Sequence, residues 1–157
     1  FVGPRSDIHD PKLKDFGEEI HHLISTSAAP EQVHFTGIVD DVDNYLRAAD
    51  LLILASGREG TPNSVLEGMA TGLPCLVTPF LGLSEGIGRA DQHYRLVDRE
   101  EEAIAAALTE TLQDTSRGQS LAQNGLRYAI EQVDQEKTLD RYAALYEELA
   151  AQHYSAS

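Results

Sequence analysis

The sequence predicts an α/β fold, a three-layer parallel sheet with helices on both faces, closed by helices at the C-terminal end. Short apolar runs alternate with amphipathic segments from residue 1 to about residue 98, and three helical patterns without a strand follow. Regular alternation of strand and helix implies right-handed crossovers and therefore a parallel sheet. The predicted organisation is a sheet-containing core over residues 1–98 and C-terminal helices over residues 99–157 that pack on the same domain.

Five apolar runs are predicted to be strands buried on both faces. Each is short, mostly β-branched or aliphatic, and ends at Gly, Ser, Pro or Asp, as is typical of strands in parallel sheets. These runs are residues 1–3, 33–36, 50–55, 74–78 and 94–97. Because ligands of such sheets bind beyond the carboxyl ends of the strands, the loops after these runs are where a site is expected.

Helical spacing of apolar residues predicts the remaining elements. Between the strands it predicts helices over residues 11–28, 42–49, 62–71 and 83–89. After residue 98 it predicts helices over residues 100–114, 117–132 and 135–152. The last of these carries a stripe of Leu and Tyr, which we expect to cover a neighbouring surface rather than bind a cofactor.

Composition and charge narrow the classes of function. With 12 basic and 26 acidic residues the chain carries a net charge of −14, which repels phosphate backbones and anionic membranes, so nucleic acid is not an expected partner. The single Cys75 cannot form an internal disulfide and is expected to be an inert core thiol,. The sequence shows no apolar run of the roughly 18 residues that span a bilayer and no signal peptide, so a cytoplasmic location is expected.

The loop after the 50–55 run has the features of an anion site. Pro62 suits the first turn of a helix, and Thr61 before it is predicted to be the N-cap. The backbone N–H groups of Asn63 and Ser64 would then be free at a helix N-terminus, where the helix dipole favours an anion. This arrangement predicts a phosphate-binding helix start.

Two glutamates flank this helix start. Glu59 lies on the loop and Glu67 lies in the second turn of the predicted helix. A carboxylate can accept both hydrogen bonds of a vicinal diol, so the pair suits a sugar nucleotide with a diol at each end and a diphosphate between. On spacing alone a pair of unrelated surface glutamates remains the alternative.

The surrounding residues carry a family resemblance. They are Ala48–Ser56, Glu59-Gly60, Leu66–Ala70 and Gly72-Leu73-Pro74, with supporting segments at Val33–Gly37, Gly82–Glu85 and Arg95–Asp98. This span resembles the retaining glycosyltransferases of family 4 (glycosyl transferases group 1), whose hallmark is two glutamates separated by seven residues. Gly68 and Ala55 depart from the residues usual in that family, but both are small.

The resemblance implies roles for particular residues. Glu67 would hold the ribose hydroxyls of the donor, and Glu59 would contact the donor sugar as the catalytic-site residue. Backbone amides would face the sugar and the phosphates, namely those of Gly60, Thr61, Asn63 and Ser64. The main chain around Ile38 and Val39 would contact the base. No cofactor and no metal are implied.

The resemblance also implies the C-terminal, donor-binding half of a GT-B fold, which consists of two Rossmann-like domains. The family's first strand and helix, with an Arg and a Lys that grip the diphosphate, would lie before Phe1. Arg5 and Arg58 are then the cations available for the phosphates, with a solvent-facing role as the alternative for either. We expect the chain alone to be inactive.

The implied reaction is metal-independent transfer of a hexose from a nucleoside diphosphate sugar to an acceptor hydroxyl. The nucleotide is expected to be UDP rather than GDP. A sugar or lipid-linked acceptor, and any contact with the inner face of the membrane, would involve the N-terminal domain. The alternative is a non-catalytic nucleotide-binding or interaction module with the same fold. His21 and His22 lack metal-ligand spacing, and no Gly-x-Gly-x-x-Gly loop is present,.

Overall fold

The computed structural model describes residues 1–3, 14–81, 83 and 85–155, without the side chains of residues 85, 115 and 153–155. The chain divides into two units, Phe1–Tyr45 and Leu46–Ser157. The sequence did not predict this division, and the predicted grouping at residue 98 stays a prediction.

In its described residues, the first unit contains one long helix and two paired extended segments. Helix α1 spans Lys14–Thr26 and is followed by a 3-10 turn at Pro30–Gln32; residues 11–13 of the predicted helix lie outside the described residues. The amide of Gly3 donates to the carbonyl of Gly37 at 3.1 Å, and the Thr36 amide donates to Phe1 at 3.0 Å.

The prediction of strands at residues 1–3 and 33–36 is wrong. The two segments are joined by backbone hydrogen bonds and by an isolated β-bridge between Gly3 and Gly37, but they form no strand, and neither belongs to the three-stranded sheet. Both glycines have positive φ, 129° at Gly3 and 71° at Gly37. Because this conformation takes the chain out of the extended region, the pairing ends there.

The second unit contains the parallel sheet that the sequence predicted. Helix α2 (Val42–Ala48) leads across the unit boundary to β1 (Leu52–Leu54), and helix α3 (Asn63–Ala70) connects β1 to β2 (Cys75–Val77). Strand β3 (Arg95–Leu96) completes the order β1-β2-β3, and both strand pairs are parallel. In register, Leu54 pairs with Val77, which pairs with Leu96.

The predicted helix over residues 83–89 is wrong in the described part of that range. Only a 3-10 turn at Glu85–Ile87 forms there. Gly88, at φ 92°, cannot continue a helix in that conformation, which explains why the turn stops. The three closing helices are confirmed as α4 (Glu101–Gln113), α5 (Thr115–Gln132) and α6 (Gln135–Ser155).

Helices cover both faces of the sheet, as a three-layer fold requires. On one face a cluster joins Val65 and Met69 of α3 to Cys75 and Val77 of β2 and to Ala129 of α5. On the other face, a second cluster is formed by Leu76, Val97 and Ala107. The two clusters fix α3 over one face of the sheet and α4 over the other.

Helix α6 leaves its apolar stripe exposed in the described chain. The stripe consists of Leu139, Tyr142, Leu145, Tyr146 and Leu149, each between 49% and 68% exposed. The expectation that it covers a neighbouring surface stays a prediction. Within the described residues, no helix combines the length and the apolar character needed to cross a membrane.

Candidate functional site

The loop between β1 and α3 leaves the sheet at the carboxyl end of β1. The amide of Leu81 donates to the carbonyl of Gly57 at 3.3 Å, and Arg58 shares an isolated parallel bridge with Leu81. The loop is therefore held against the segment that follows β2. This is the edge at which parallel sheets bind ligands.

Helix α3 begins with a tight turn that the sequence did not predict. Pro62, at φ −78° and ψ 73°, occupies the N-cap position without a side-chain cap. The amide of Asn63 donates to the carbonyl of Thr61 at 2.9 Å. These angles and this bond define an inverse γ-turn centred on the proline.

Two predictions about this turn are therefore wrong. The side chain of Thr61 does not cap the helix, and the amide of Asn63 is not free, because the Thr61 carbonyl already accepts its hydrogen bond. The cause is Pro62, whose ring fixes φ and whose ψ folds the Thr61 carbonyl back onto the next amide.

Other amides at the helix start are open. The Pro62 carbonyl accepts from the amides of Val65 and Leu66, at 3.0 and 3.4 Å. The amides of Gly60, Thr61 and Ser64 have no backbone partner among the described residues. Ser64 is in the first turn of α3, where the dipole favours an anion. The helix start therefore retains an open donor, one residue later than Asn63.

The two glutamates lie on opposite sides of this helix start along the chain. Glu59 is partly buried on the loop, and Glu67 is exposed on α3. The face of α3 that packs on the sheet consists of Val65, Gly68 and Met69. Within the described part of the chain, no hydrogen bond or ion pair engages either carboxylate, so both are open to a ligand.

Glu67 lines an open cavity of about 820 Å³ between α3 and the α5–α6 junction. The lining residues are Asn63, Leu66, Glu67, Ala70, Ala129, Ile130, Val133, Asp134 and Gln135. The contribution of the α5–α6 junction was not predicted. Nothing in the sequence signals it, because spacing along one helix does not show which other helix lies beside it.

Arg99 also belongs to this site region, although it was not predicted from the sequence. Its Nη2 donates to the carbonyl of Ser56 at 3.1 Å, and the same nitrogen donates to the carbonyl of Pro79. A signal was available, because Arg99 follows β3 on one of the loops in which a site was expected.

The remaining predicted site residues are placed as follows. Arg58 is exposed, and Arg5, Gly82 and Ser84 lie outside the described residues. Ile38, which is 78% exposed, and Val39 lie in the first unit, and their predicted contact with a base stays a prediction. The described residues contain no group of three or more His, Cys, Asp or Glu side chains placed to hold a metal ion.

Comparison with known proteins decides the family. The model of the family described as glycosyl transferases group 1 matches residues 2–114. The chain belongs to this family. The resemblance found in the sequence is thus confirmed for membership of the group 1 family. The retaining mechanism stays a prediction.

Individual relatives agree with this assignment to the family. The chain is 28% identical over 127 residues, 81% of its length and 33% of the relative's, to the N-acetyl-alpha-D-glucosaminyl L-malate synthase of Bacillus anthracis. It is 30% identical over 115 residues, 73% of its length and 30% of the relative's, to an N,N'-diacetylbacillosaminyl-diphospho-undecaprenol alpha-1,3-N-acetylgalactosaminyltransferase of Campylobacter jejuni.

A solved structure supports the fold. Anabaena HepE in complex with UDP superposes with a TM-score of 0.82 at 21% identity, over 94% of this chain and 40% of that one. The GT-B assignment of the fold class is consistent with this match. The chain spans between 30% and 39% of the length of the curated relatives it matches first.

Proposed function

We propose that this chain is the donor-binding domain of a retaining, metal-independent glycosyltransferase that moves a hexose from a UDP-sugar to an acceptor hydroxyl. The observation that carries the proposal is the α3 start, where Glu59 and Glu67 flank open backbone amides at the carboxyl end of β1. Two carboxylates suit the two diols of a sugar nucleotide, and the amides between them suit its diphosphate.

Each site residue is assigned to the part of the donor that its hydrogen-bonding groups can bind. The Ser64 amide, at the N-terminus of α3, and the open amides of Gly60 and Thr61 would donate to phosphate oxygens and to the sugar. Glu67 would accept hydrogen bonds from the ribose hydroxyls, and Glu59 would accept them from the transferred sugar. Arg58, exposed at the edge of the same loop, would add a positive charge.

The charge of the chain explains why amides are suited to this task. A net charge of −14 creates a field that opposes a diphosphate. Amide dipoles at a helix start are neutral, preorganised donors that act only at short range, so they bind an anion without altering the overall charge. Arg58 acts on the same short scale, because salt screens its charge beyond about 10 Å.

The donor and acceptor classes are inferred from the relatives. HepE binds UDP, and the name of the Campylobacter relative specifies a diphospho-undecaprenol acceptor. We propose UDP as the nucleotide and a sugar or lipid-linked acceptor, in the cytoplasm at the inner membrane face. Because the chain matches only 30% to 39% of the length of these relatives, we further propose that acceptor binding involves other parts of the full-length protein and that the 157-residue chain does not transfer sugar by itself.

The test is a substitution of Glu67 in the full-length protein. Glu67→Ala should weaken UDP binding by at least about tenfold in calorimetry, because it removes hydrogen bonds to a charged acceptor. Glu147→Ala, which removes an exposed glutamate of α6, is the matched control and should leave binding unchanged. Equal UDP affinity and equal transfer activity in the Glu67→Ala and Glu147→Ala proteins would contradict the proposal. UDP binding without any transfer by the full-length protein would favour a non-catalytic module.

A further inference from the structure

Arg99 connects Ser56, which follows β1, to the segment that follows β2, at Pro79. Ser56 lies near the start of the loop between β1 and α3, to which we assign the donor. We propose that Arg99 is a positioning residue, which holds the Ser56–Gly57 peptide so that the open amides of the loop keep the orientation needed by the donor. This inference rests on the proposed function, because it assigns the loop to the same donor site.

The carbonyl of Ser56 is held by two donors from different elements. Arg99 Nη2 donates to it at 3.1 Å, and the hydroxyl of Thr78 donates to it at 3.3 Å. Thr78 is itself 1% exposed, and its amide donates to Leu54 at 3.0 Å. Because a carbonyl oxygen has two lone pairs, two donors satisfy it and fix the plane of its peptide.

The same guanidinium nitrogen also reaches the segment that follows β2. Arg99 Nη2 donates to the carbonyl of Pro79. One charged group therefore joins the residues that follow two neighbouring strands. Hydrogen bonds from a charged donor are stronger than neutral ones, so this contact restrains the loop more than an ordinary backbone bond would.

The absence of a side chain at Gly57 leaves room for the guanidinium of Arg99. A Cβ at this position would lie 3.3 Å from Nη1 of Arg99 and 3.7 Å from its Cζ. The terminal nitrogens of the guanidinium therefore lie close to the residue that starts the loop. Further along, a Cβ on Gly60 would meet nothing within 4 Å, so the tip of the loop is open and depends on its base for orientation.

The first test compares Arg99→Ala and Arg99→Lys in the full-length protein with the control Arg141→Ala, an exposed arginine of α6. Arg99→Ala should lower kcat by roughly 10- to 100-fold, as expected for misplacement of a site, and should speed hydrogen exchange of the amides of residues 57–61. Arg99→Lys should recover part of both, since an ammonium can donate to a carbonyl but lacks the planar fork. Arg141→Ala should change neither.

Three outcomes would overturn the proposal. One is unchanged exchange and kcat in Arg99→Ala, while Glu67→Ala still weakens UDP binding. Another is a loss of activity that follows the fall in Tm without faster exchange in the loop. The third is an equal loss in Arg99→Lys with no recovery. Retention of UDP affinity in Glu67→Ala would instead contradict the proposed function, while the exchange of the loop amides would still report whether Arg99 holds the loop.

A second variant disturbs the same contact while Arg99 itself is retained. Gly57→Ala adds a Cβ 3.3 Å from Nη1 of Arg99, so the guanidinium must shift by a few tenths of an ångström, and the variant should reproduce part of the faster exchange and part of the loss of kcat. Combined with Arg99→Ala it should add little, because both changes break the same contact. Full additivity of the two substitutions would contradict the proposed coupling.

Discussion

A Cβ added to Gly68 would lie 3.0 Å from Cδ1 of Leu52, so helix α3 packs on strand β1 at nearly backbone distance. The same Cβ would lie 3.2 Å from Sγ of Cys75 on β2. Ser64 and Glu67 lie on this helix, so the distance between the helix and the sheet determines where these two residues lie relative to the end of β1. The glycine that departs from the family pattern therefore has a structural reason.

Gly68→Ala should destabilise the protein by about 1–3 kcal/mol through overpacking, less the roughly 1 kcal/mol that alanine gains over glycine in a helix. The end of Leu52 can rotate away, but its Cβ, 3.4 Å from the added methyl group, cannot. Urea unfolding measures the change. Gly60→Ala, whose Cβ meets nothing within 4 Å, is the control and should leave stability unchanged. An increase in stability for Gly68→Ala would show that the helix can move away from the sheet.

Arg95 should contribute more to stability than its acidic partner. Its Nη2 lies 2.6 Å from Oε2 of Glu110, and the two side chains are 16% and 56% exposed. Its Nη1 also donates to Ala107 O and to Thr111 Oγ1, both at 3.3 Å. Arg95→Ala removes three hydrogen bonds from a partly buried charged donor and should cost about 1–3 kcal/mol, whereas Glu110→Ala removes one largely exposed ion pair and should cost under about 1 kcal/mol. Equal costs in denaturant unfolding would contradict this account.

Cys75 should react with thiol reagents only when the protein unfolds. Its side chain is fully buried, and burial raises the pKa of its thiol to about 12. Since the thiolate is the reactive form, both access and ionisation are suppressed. Labelling of the native chain with a disulfide reagent should be slow and should speed up in urea. Ser120→Cys in a Cys75→Ala background, at an exposed position of α5, should label at once. Fast labelling of native Cys75 would show that α3 opens from the sheet.

The expectation that Cys75 lies in the core is confirmed, because burial follows directly from the apolar run around it, whereas its inertness stays a prediction. The parallel sheet was predictable for the same reason. By contrast, the strands expected at residues 1–3 and 33–36 fail at Gly3 and Gly37, whose positive φ is a backbone property that an apolar run does not show.

The candidate site was predictable where one local stretch supplies all its parts. Glu59, Ser64 and Glu67 lie on a single strand–loop–helix unit. The contribution of Arg99 depends on a contact 43 residues along the chain, which no local spacing encodes. The loss of the Asn63 amide depends on ψ of Pro62, and proline fixes only φ.

The stability of the chain should fall as pH is lowered through the titration of His93. Burial first, and the charge of Arg89 second, lower the pKa of His93 below its ordinary value of 6.5. Its Nδ1 accepts a hydrogen bond from the Arg89 amide at 2.9 Å, and protonation would remove that acceptor. As the pH falls below about 6.5, His93 binds a proton in the unfolded chain before it does so in the folded chain. The free energy of unfolding therefore decreases as the pH falls from about 6.5 to the lower pKa of His93 in the folded chain.

The measurement is urea unfolding between pH 5 and pH 8, compared with His93→Gln, which should show a shallower pH dependence. His21→Gln, at an exposed position of α1, is the matched control and should retain the dependence of the unmodified chain. If His93→Gln and the unmodified chain have the same pH profile, protonation of His93 does not destabilise the fold.

The open amide of Ser64 should matter more for donor binding than its hydroxyl. Ser64→Pro removes the N–H from the first turn of α3, where no described residue accepts its hydrogen bond and where proline is best tolerated in a helix. Loss of a hydrogen bond to a charged phosphate should weaken UDP binding by roughly 10- to 100-fold. Ser64→Ala keeps the N–H and is the matched control, with an expected change under about threefold. Calorimetry measures both affinities, and circular dichroism checks that the helix persists. If Ser64→Ala weakens binding as much as Ser64→Pro while both keep their helix content, the hydroxyl rather than the amide holds the phosphate, and the assignment of the helix start as the anion donor is wrong.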